Sequence, residues 1–304
     1  MFEYYRQLLA DETRTNAFRE AIRRVVKEGD VVVEIGAGPG LLSFFACEAG
    51  AKHVYAIDQH PIIDTAYLLA KKFGFDDQVT VIRARSTNVE FKVKADVLIT
   101  ETLGSAGFDE GFLSTVSDAR KRLLTPDARI IPSHVDLWIA PIEWADLYER
   151  YVEWWSSPRY GFDVSPIRMF AANTVFSALV PQSALLAEPE VAIKVDSATI
   201  DRSTASGSAT LRTNRAGTAH AFIVGFNTIV ADGVTLSNAW RGADSWHHGI
   251  LPLEQPMQVD RDTPIRIELS TDDGRQWNWT GEIAGTPFAQ TNVLTQLSSL
   301  PLRQ

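Results

Sequence analysis

Cysteine is almost absent from this chain: Cys47 is alone among 304 residues. With nothing to pair with, it excludes an internal disulfide framework and a cysteine-rich zinc site, and it points to a reducing, cytoplasmic setting. Cys47 follows a glycine-rich loop in an apolar segment, where packing is its expected role. Long apolar runs are missing too. No stretch approaches the ~20 residues of a membrane-spanning helix, and Met1-Phe2-Glu3-Tyr4-Tyr5 lacks the pattern of a secretory signal. There is no basic surplus: 29 Lys and Arg against 38 Asp and Glu leave a formal charge of −9. That argues against a nucleic-acid backbone as partner and is compatible with a basic substrate. The pair His247-His248 would point to opposite faces of a strand and finds no third ligand at a useful spacing, so no metal is expected. Internal repeats, low-complexity runs and long linkers are also lacking.

What is present suffices for two cores. A chain of this length, 45% hydrophobic and 22% charged, is expected to form two domains. The pattern changes near Pro132. Residues 1–132 alternate strand-like and helix-like segments, predicting an α/β domain with a doubly wound, mostly parallel sheet. Residues 133–304 carry short strand candidates such as 191–195, 219–226 and 264–269, with turn pairs Asp232-Gly233 and Asp273-Gly274 between them. They predict an antiparallel β-barrel or sandwich. An apolar-rich, helical excursion over about 160–186 interrupts it. Its Phe162, Ile167, Met169, Phe170, Val175, Phe176 and Leu179 would be hard to bury in a monomer, so a homodimer is expected.

Two loops carry the chemistry. The segment Thr100 to Glu110 follows the apolar run 95–99 and brings two carboxylates, Glu101 and Glu110, onto a Gly-containing loop at a strand's carboxyl end, where open α/β sheets bind ligands. Two unneutralised carboxylates there need a positive partner, and the planar fork of a guanidinium suits them best. As solvated loop acids they would need none. Upstream, residues 30–43 read as strand, glycine loop and helix opening. The glycines are Gly36, Gly38 and Gly40 rather than the G-x-G-x-x-G of dinucleotide sites, and Glu34 stands just before them. An acid there disfavours a pyrophosphate and suits a cationic group, such as the amino group or sulfonium of S-adenosylmethionine. A second strand, 53–58, ends in Asp58, placed to take ribose hydroxyls. A third, 79–83, leads to Arg85-Ser86-Thr87-Asn88, whose polar groups suit an adenine edge.

With these residues the chain resembles the protein arginine methyltransferase family over nearly its whole length. The family's first helix motif is visible in Leu8 to Arg14, with Arg14 on the arginine that holds the cofactor carboxylate. Its paired-glutamate hairpin falls on Glu101 and Glu110. Residues 120–132 are similar to the helix, turn and strand that lead into the second domain, and 154–165, with Trp154 and Trp155, to the entry of a dimerisation arm. Ser245-Trp246 occupies the place of a Thr-His-Trp loop. The resemblance implies S-adenosylmethionine as cofactor, bound by Tyr5, Arg14, Glu34, Gly36, Gly38, Asp58, Ser86 and Thr87, and a guanidino acceptor held by Glu101, Glu110, Ser245 and Trp246. There are departures. Ser245 replaces the usual His, most of the N-terminal Tyr-Phe-x-x-Tyr motif is not seen upstream of Leu8, and Thr87 stands where many members have Glu, Ser86-Thr87 resembling the monomethylating branch. Two readings stay open beside methylation of arginine in proteins: methylation of free arginine or a guanidino metabolite, and a catalytically silent scaffold. Trp154 and Trp155 read as packing for the arm or as an aromatic cage for a methylated cation.

Overall fold

A computed structural model describes residues 2–240 and 245–292. In chain order the first elements are α1 (Phe2–Ala10), α2 (Glu12–Val25), β1 (Val31–Ile35), α3 (Leu41–Glu48), β2 (His53–Asp58), α4 (Asp64–Phe73), β3 (Val79–Arg83), β4 (Ala95–Thr100), α5 (Phe112–Arg122) and β5 (Leu124–Ile131). The second series is β6 (His134–Ile142), α6 (Ala145–Tyr151), α7 (Pro166–Ala172), β7 (Phe176–Ala178), β8 (Glu190–Asp196), β9 (Thr204–Arg212), β10 (Gly217–Ala231), β11 (Val234–Ser237), β12 (His248–Val259), β13 (Pro264–Asp272), β14 (Gln276–Ile283) and β15 (Thr286–Thr291).

The strands β3-β2-β1-β4-β5 form one parallel sheet. Its inner strands are nearly continuous apolar runs, Val31-Val32-Val33 in β1 and Val97-Leu98-Ile99 in β4, because helices cover both faces and leave no solvent side for a polar alternation. Helix α2 opens on Asp11, whose side chain accepts the Arg14 N–H at 2.9 Å, and closes on Arg23 and Arg24, so both ends suit the helix dipole. Strand order reverses between β1 and β4, whose carboxyl ends pair Ile35 with Thr100. The Thr100 hydroxyl donates to the Ile35 carbonyl at 3.0 Å and stitches them together. The loops after β1 and β4 therefore leave the sheet side by side at its switch point.

The other strands form two antiparallel sheets, one ordered β7-β12-β10-β6-β8 with β11 beside β10, the other β15-β14-β13-β9. Strand β13 alternates buried and exposed residues along its length, the signature of a sheet with one face on a core. Asp273-Gly274 turns β13 into β14, and Asp232-Gly233 turns β10 into β11. Trp277 and Trp279 of β14 are fully buried, their indole N–H groups satisfied by the Gly274 and Pro252 carbonyls at 2.8 and 3.0 Å.

The chain divides into two compact units. The first unit takes Met1–Val135 together with Val195–Ser203 and Phe226–Trp246; the second takes Asp136–Lys194, Thr204–Gly225 and His247–Gln304. Of the expected second domain, 133–304, residues 293–304 lie outside the described ones. The excursion 160–186 is less helical than its apolar content predicts. Helix α7 is short and ends at Ala172, with Asn173 as its C-cap, and Phe176–Ala178 become β7, hydrogen-bonded to β12. Phe176 stacks flat on Tyr151 at 4.4 Å, which rewards the extended form. Trp154 and Trp155 meet edge to face at 4.7 Å, and Arg159 covers Trp154 at 4.1 Å, so the chain's own cation takes that ring. Among the described residues, no helix is long and apolar enough to cross a membrane, and no group of three or more His, Cys, Asp or Glu is placed to hold a metal ion.

Candidate active site

Every sequence-predicted site residue lies in the first unit. The glycine loop leaves β1 with Gly36 and Ala37 donating to the Ile57 carbonyl at 2.9 and 3.0 Å, which zips it to β2. Gly38 sits at φ 51°, and a Cβ there would fall 2.7 Å from the Tyr5 ring. Tyr5 of α1 thus lies directly on the loop backbone, and only glycine permits that approach. Asp58 ends β2, is 7% exposed, and accepts the Gly38 N–H at 2.9 Å on one oxygen and the His60 N–H at 2.8 Å on the other. The Ala84 N–H donates to the Asp58 carbonyl at 3.0 Å, so the 3-10 turn Ser86–Asn88 follows close beside it. That turn is held by Arg122, which donates to the Ser86 and Val89 carbonyls at 2.8 and 2.7 Å.

Glu34 departs from its expected role. It is 2% exposed and accepts the Ser43 hydroxyl of α3 instead of facing the mouth of the loop. Burial pushes its pKa up to about 8, so at neutral pH it is mostly protonated. The repulsion expected from an anion at this position is therefore weak. The cause lies in its strand: inside a parallel sheet covered on both faces, a side chain near the end of β1 turns inward.

The second loop runs from Glu101 to Gly111. Asp109 folds it, accepting the Ala106 and Ser105 N–H groups at 2.7 and 3.1 Å. Phe108 and Phe112, both fully buried, anchor it to the core. The two glutamates stand in different states. Glu101 forms an ion pair with Arg14, both side chains about nine-tenths buried. Arg14 also donates to the Leu8 carbonyl at 3.0 Å, while its buried Nε–H has no partner among the described residues. Glu110 keeps part of its side chain in solvent, yet the protein packed around its carboxyl, and then the charge of Glu101, raise its pKa to about 7. A hydrogen bond from the Tyr4 hydroxyl at 3.1 Å opposes that rise.

Asp11 joins the two ends of the unit. Besides capping α2, it accepts the Ser245 N–H at 2.9 Å and the Ser245 hydroxyl at 2.7 Å. Burial pushes its pKa up, but the bonds from Arg14 and Ser245 outweigh this and hold it below the usual aspartate value. Trp246, 6% exposed, packs edge to face on Phe226 at 5.0 Å.

Two clusters thus form among the expected residues, Tyr5 with Gly38 and Asp58, and Arg14 with Glu101, while Ser245 is tied in through Asp11. Sequence reading missed Tyr4, Asp11, Ser43 and Asp109. Asp11 alone left a local signal, an Asp three residues before Arg14 at a helix start.

The fold defines a class: a parallel α/β domain with glycine loop, strand-end acid and acid hairpin at the switch point, as in methyltransferases. A family model for ribosomal protein L11 methyltransferase (PrmA) matches residues 13–134, and one for the arginine methyltransferase oligomerization subdomain matches residues 133–284. Protein arginine N-methyltransferase 6 of Danio rerio is 30% identical, over 88% of this chain and 80% of its own. Protein arginine N-methyltransferase 1 of Dictyostelium discoideum is 34% identical, over 74% and 67%. The chain belongs to the protein arginine N-methyltransferase family. Two solved structures share its fold: the Trypanosoma brucei PRMT1 enzyme-prozyme heterotetrameric complex with AdoHcy (TM-score 0.84, 22% identity, 96% of this chain and 98% of that one) and Arabidopsis thaliana protein arginine methyltransferase 10 (0.78, 20%, 96% and 97%).

Proposed function

We propose that this chain transfers the methyl group of S-adenosylmethionine to a guanidino nitrogen of arginine in a polypeptide. The observation that carries the proposal is the pair Glu101 and Glu110 on one loop, the first ion-paired with Arg14 and the second with its pKa raised to about 7. The residues present fit the cofactor. Asp58 has carboxylate lone pairs left for ribose hydroxyls, and the unpartnered Nε–H of Arg14 suits a carboxylate; over Gly38 lies the Tyr5 ring, which would border the ligand there. Ser86 and Thr87 would edge the adenine. When bound, the cofactor supplies an electrophilic sulfonium methyl.

A guanidinium with a pKa above about 12 is not deprotonated in advance by an ordinary carboxylate, so orientation and charge placement must dominate. Glu101 and Glu110 would hold the fork of the guanidinium, turn one nitrogen toward the methyl and draw positive charge to the others. Glu110, whose pKa is raised to about 7, is the better matched of the two to take the proton as the bond forms. Ser245 and Trp246 would border the acceptor.

We place a homodimer and a cytoplasmic setting within the same proposal. The exposed Tyr160, Phe162 and Leu179 support the first, the single buried cysteine the second. Light scattering at micromolar concentration should give twice the chain mass; a fully active monomer overturns the homodimer.

The acceptor is tested by mass spectrometry after incubation with S-adenosylmethionine, an arginine-rich polypeptide beside free arginine. Methyl groups on guanidino nitrogens of the polypeptide are expected, and fragmentation reports their number. Methylation confined to lysine or to free arginine would overturn the proposal.

A further inference from the structure

The least explained contact near the glutamates comes from α1. This helix has no buried residue of its own, yet two of its aromatic rings reach into the site. Tyr5 lies on Gly38, Tyr4 meets Tyr5 edge to face at 5.3 Å, and the Tyr4 hydroxyl donates to the Glu110 Oε1 at 3.1 Å across 106 residues of sequence. The two rings thus form a bridge from the glycine loop to the second glutamate.

We propose that Tyr4 is a positioning residue for the transfer reaction, its hydroxyl holding the Glu110 carboxylate in its working orientation. The inference rests on the reading of Glu110 as an acceptor-side carboxylate. A phenol donates and stays protonated here: although the Tyr4 residue is about half exposed, the protein packed around its hydroxyl, then the nearby charges of Glu110 and Glu101, push its pKa well above its ordinary value. The groups that act on Glu110 are few. Glu101 and Asp109 disfavour its charge, Arg14 and Tyr4 favour it, and Tyr5 lies near enough to feel it. Arg14 already pairs with Glu101. Tyr4 is therefore the donor that fixes which way the Glu110 carboxylate faces, and its bond favours the ionised form that can accept a proton.

The sign of the effect follows. Tyr4→Phe keeps the ring and its contact with Tyr5 but removes the bond, so Glu110 should protonate at higher pH. A net hydrogen bond of ~1 kcal/mol corresponds to a rise of roughly 0.5–1 pH. Glutamate labelled with ¹³C at the side-chain carboxyl, with the Glu110 resonance assigned by its loss in Glu110→Gln, reads this titration directly in the full chain without turnover. The Glu110 midpoint in Tyr4→Phe is expected to move upward by that amount. The acid limb of kcat/KM for methyl transfer to an arginine-rich peptide should move with it, most of the rate returning near pH 9. An unmoved midpoint, or a rate loss equal at every pH, would overturn the role of Tyr4. If the wild type transfers no methyl group to guanidino nitrogen, the proposed function falls, and the carboxyl titration still decides whether Tyr4 holds Glu110.

Discussion

The two sides of the site are built by different means. Around the glycine loop, functional groups are held by backbone: Asp58 takes its two hydrogen bonds from the Gly38 and His60 N–H groups, no more than 20 residues away. Around the acid hairpin they are held by side chains from afar. Glu101 meets Arg14 across 87 residues, Glu110 meets Tyr4 across 106, and Asp11 meets Ser245 across 234. A cradle pinned by backbone is as rigid as the sheet beneath it, whereas a clamp assembled from side chains can change its charge and orientation when one partner moves. That division suits a reaction in which one ligand must be fixed and the other turned.

The largest test of this contrast is to neutralise the clamp. Glu101→Gln and Glu110→Gln each keep the size of the side chain and remove its charge, so turnover should fall by at least ~10²-fold, about 2.7 kcal/mol of transition-state stabilisation. Cofactor affinity should change far less in Glu110→Gln, whereas Glu101→Gln also removes the ion-pair partner of Arg14 and should shift it more. The double variant should lose less than the product of the single losses, because removing either acid already spoils acceptor orientation. Near-normal turnover in both single variants would remove the clamp from the account.

Next in size is the cradle. Asp58→Ala should weaken binding of S-adenosylmethionine by about 1.5–3 kcal/mol, since it removes charge-assisted contacts to the ribose and the brace on Gly38. Calorimetry measures this, and unchanged affinity would break the comparison from the other end.

The same contrast explains what the sequence made legible. Gly36, Gly38 and Asp58 were readable because strand, loop and strand-end acid recur at short, fixed spacing. So were the parallel sheet, from its apolar runs, and the β13–β14 hairpin, from Asp273-Gly274. Glu101 and Glu110 were visible as acids on a loop. Their unequal states were not, because the partners that set them are distant in the chain. Glu34 differs: the sequence puts it just before the glycine loop, while the fold buries it against Ser43. A carboxyl in the run Val31–Ile35 belongs to a strand covered on both faces, and that alone calls for an inward, protonated side chain.

This reading of Glu34 has a consequence for stability. Its folded pKa, about 8, lies above the unfolded value of about 4.3. Between these values the folded state holds a proton that the unfolded chain has released, so stability should decline as pH rises through that window. Glu34→Gln can still accept the Ser43 hydroxyl and does not titrate. Melting curves from pH 5 to 8 should therefore be flatter for the variant; parallel curves would show that Glu34 is not buried as the neutral acid.

The smallest expected effect is at Asp11, where both kinds of support meet. Its two oxygens serve different partners, one the Arg14 N–H that starts α2, the other the N–H and hydroxyl of Ser245. Asp11→Ala should cost about 1–2 kcal/mol of stability through the lost cap alone. Asp11→Asn keeps a capping oxygen for Arg14 but turns an amide N–H₂ toward the Ser245 N–H, so it should cost less stability while still loosening the residue beside Trp246. Ser245→Ala removes the hydroxyl and leaves the backbone bond, for roughly 0.5–1.5 kcal/mol. Asp11 also carries a pH signature opposite to that of Glu34. Its folded pKa is depressed, so its contribution is present above the unfolded value of about 3.9 and is lost as pH falls through the lower folded one. Acid unfolding of wild type and Asp11→Asn should accordingly converge at the lowest pH, where the wild-type carboxyl is protonated. If Asp11→Asn instead matched Asp11→Ala in stability at neutral pH, the cap would be a minor part of its role, and the link to Ser245 would be the contact that holds this end of the unit together.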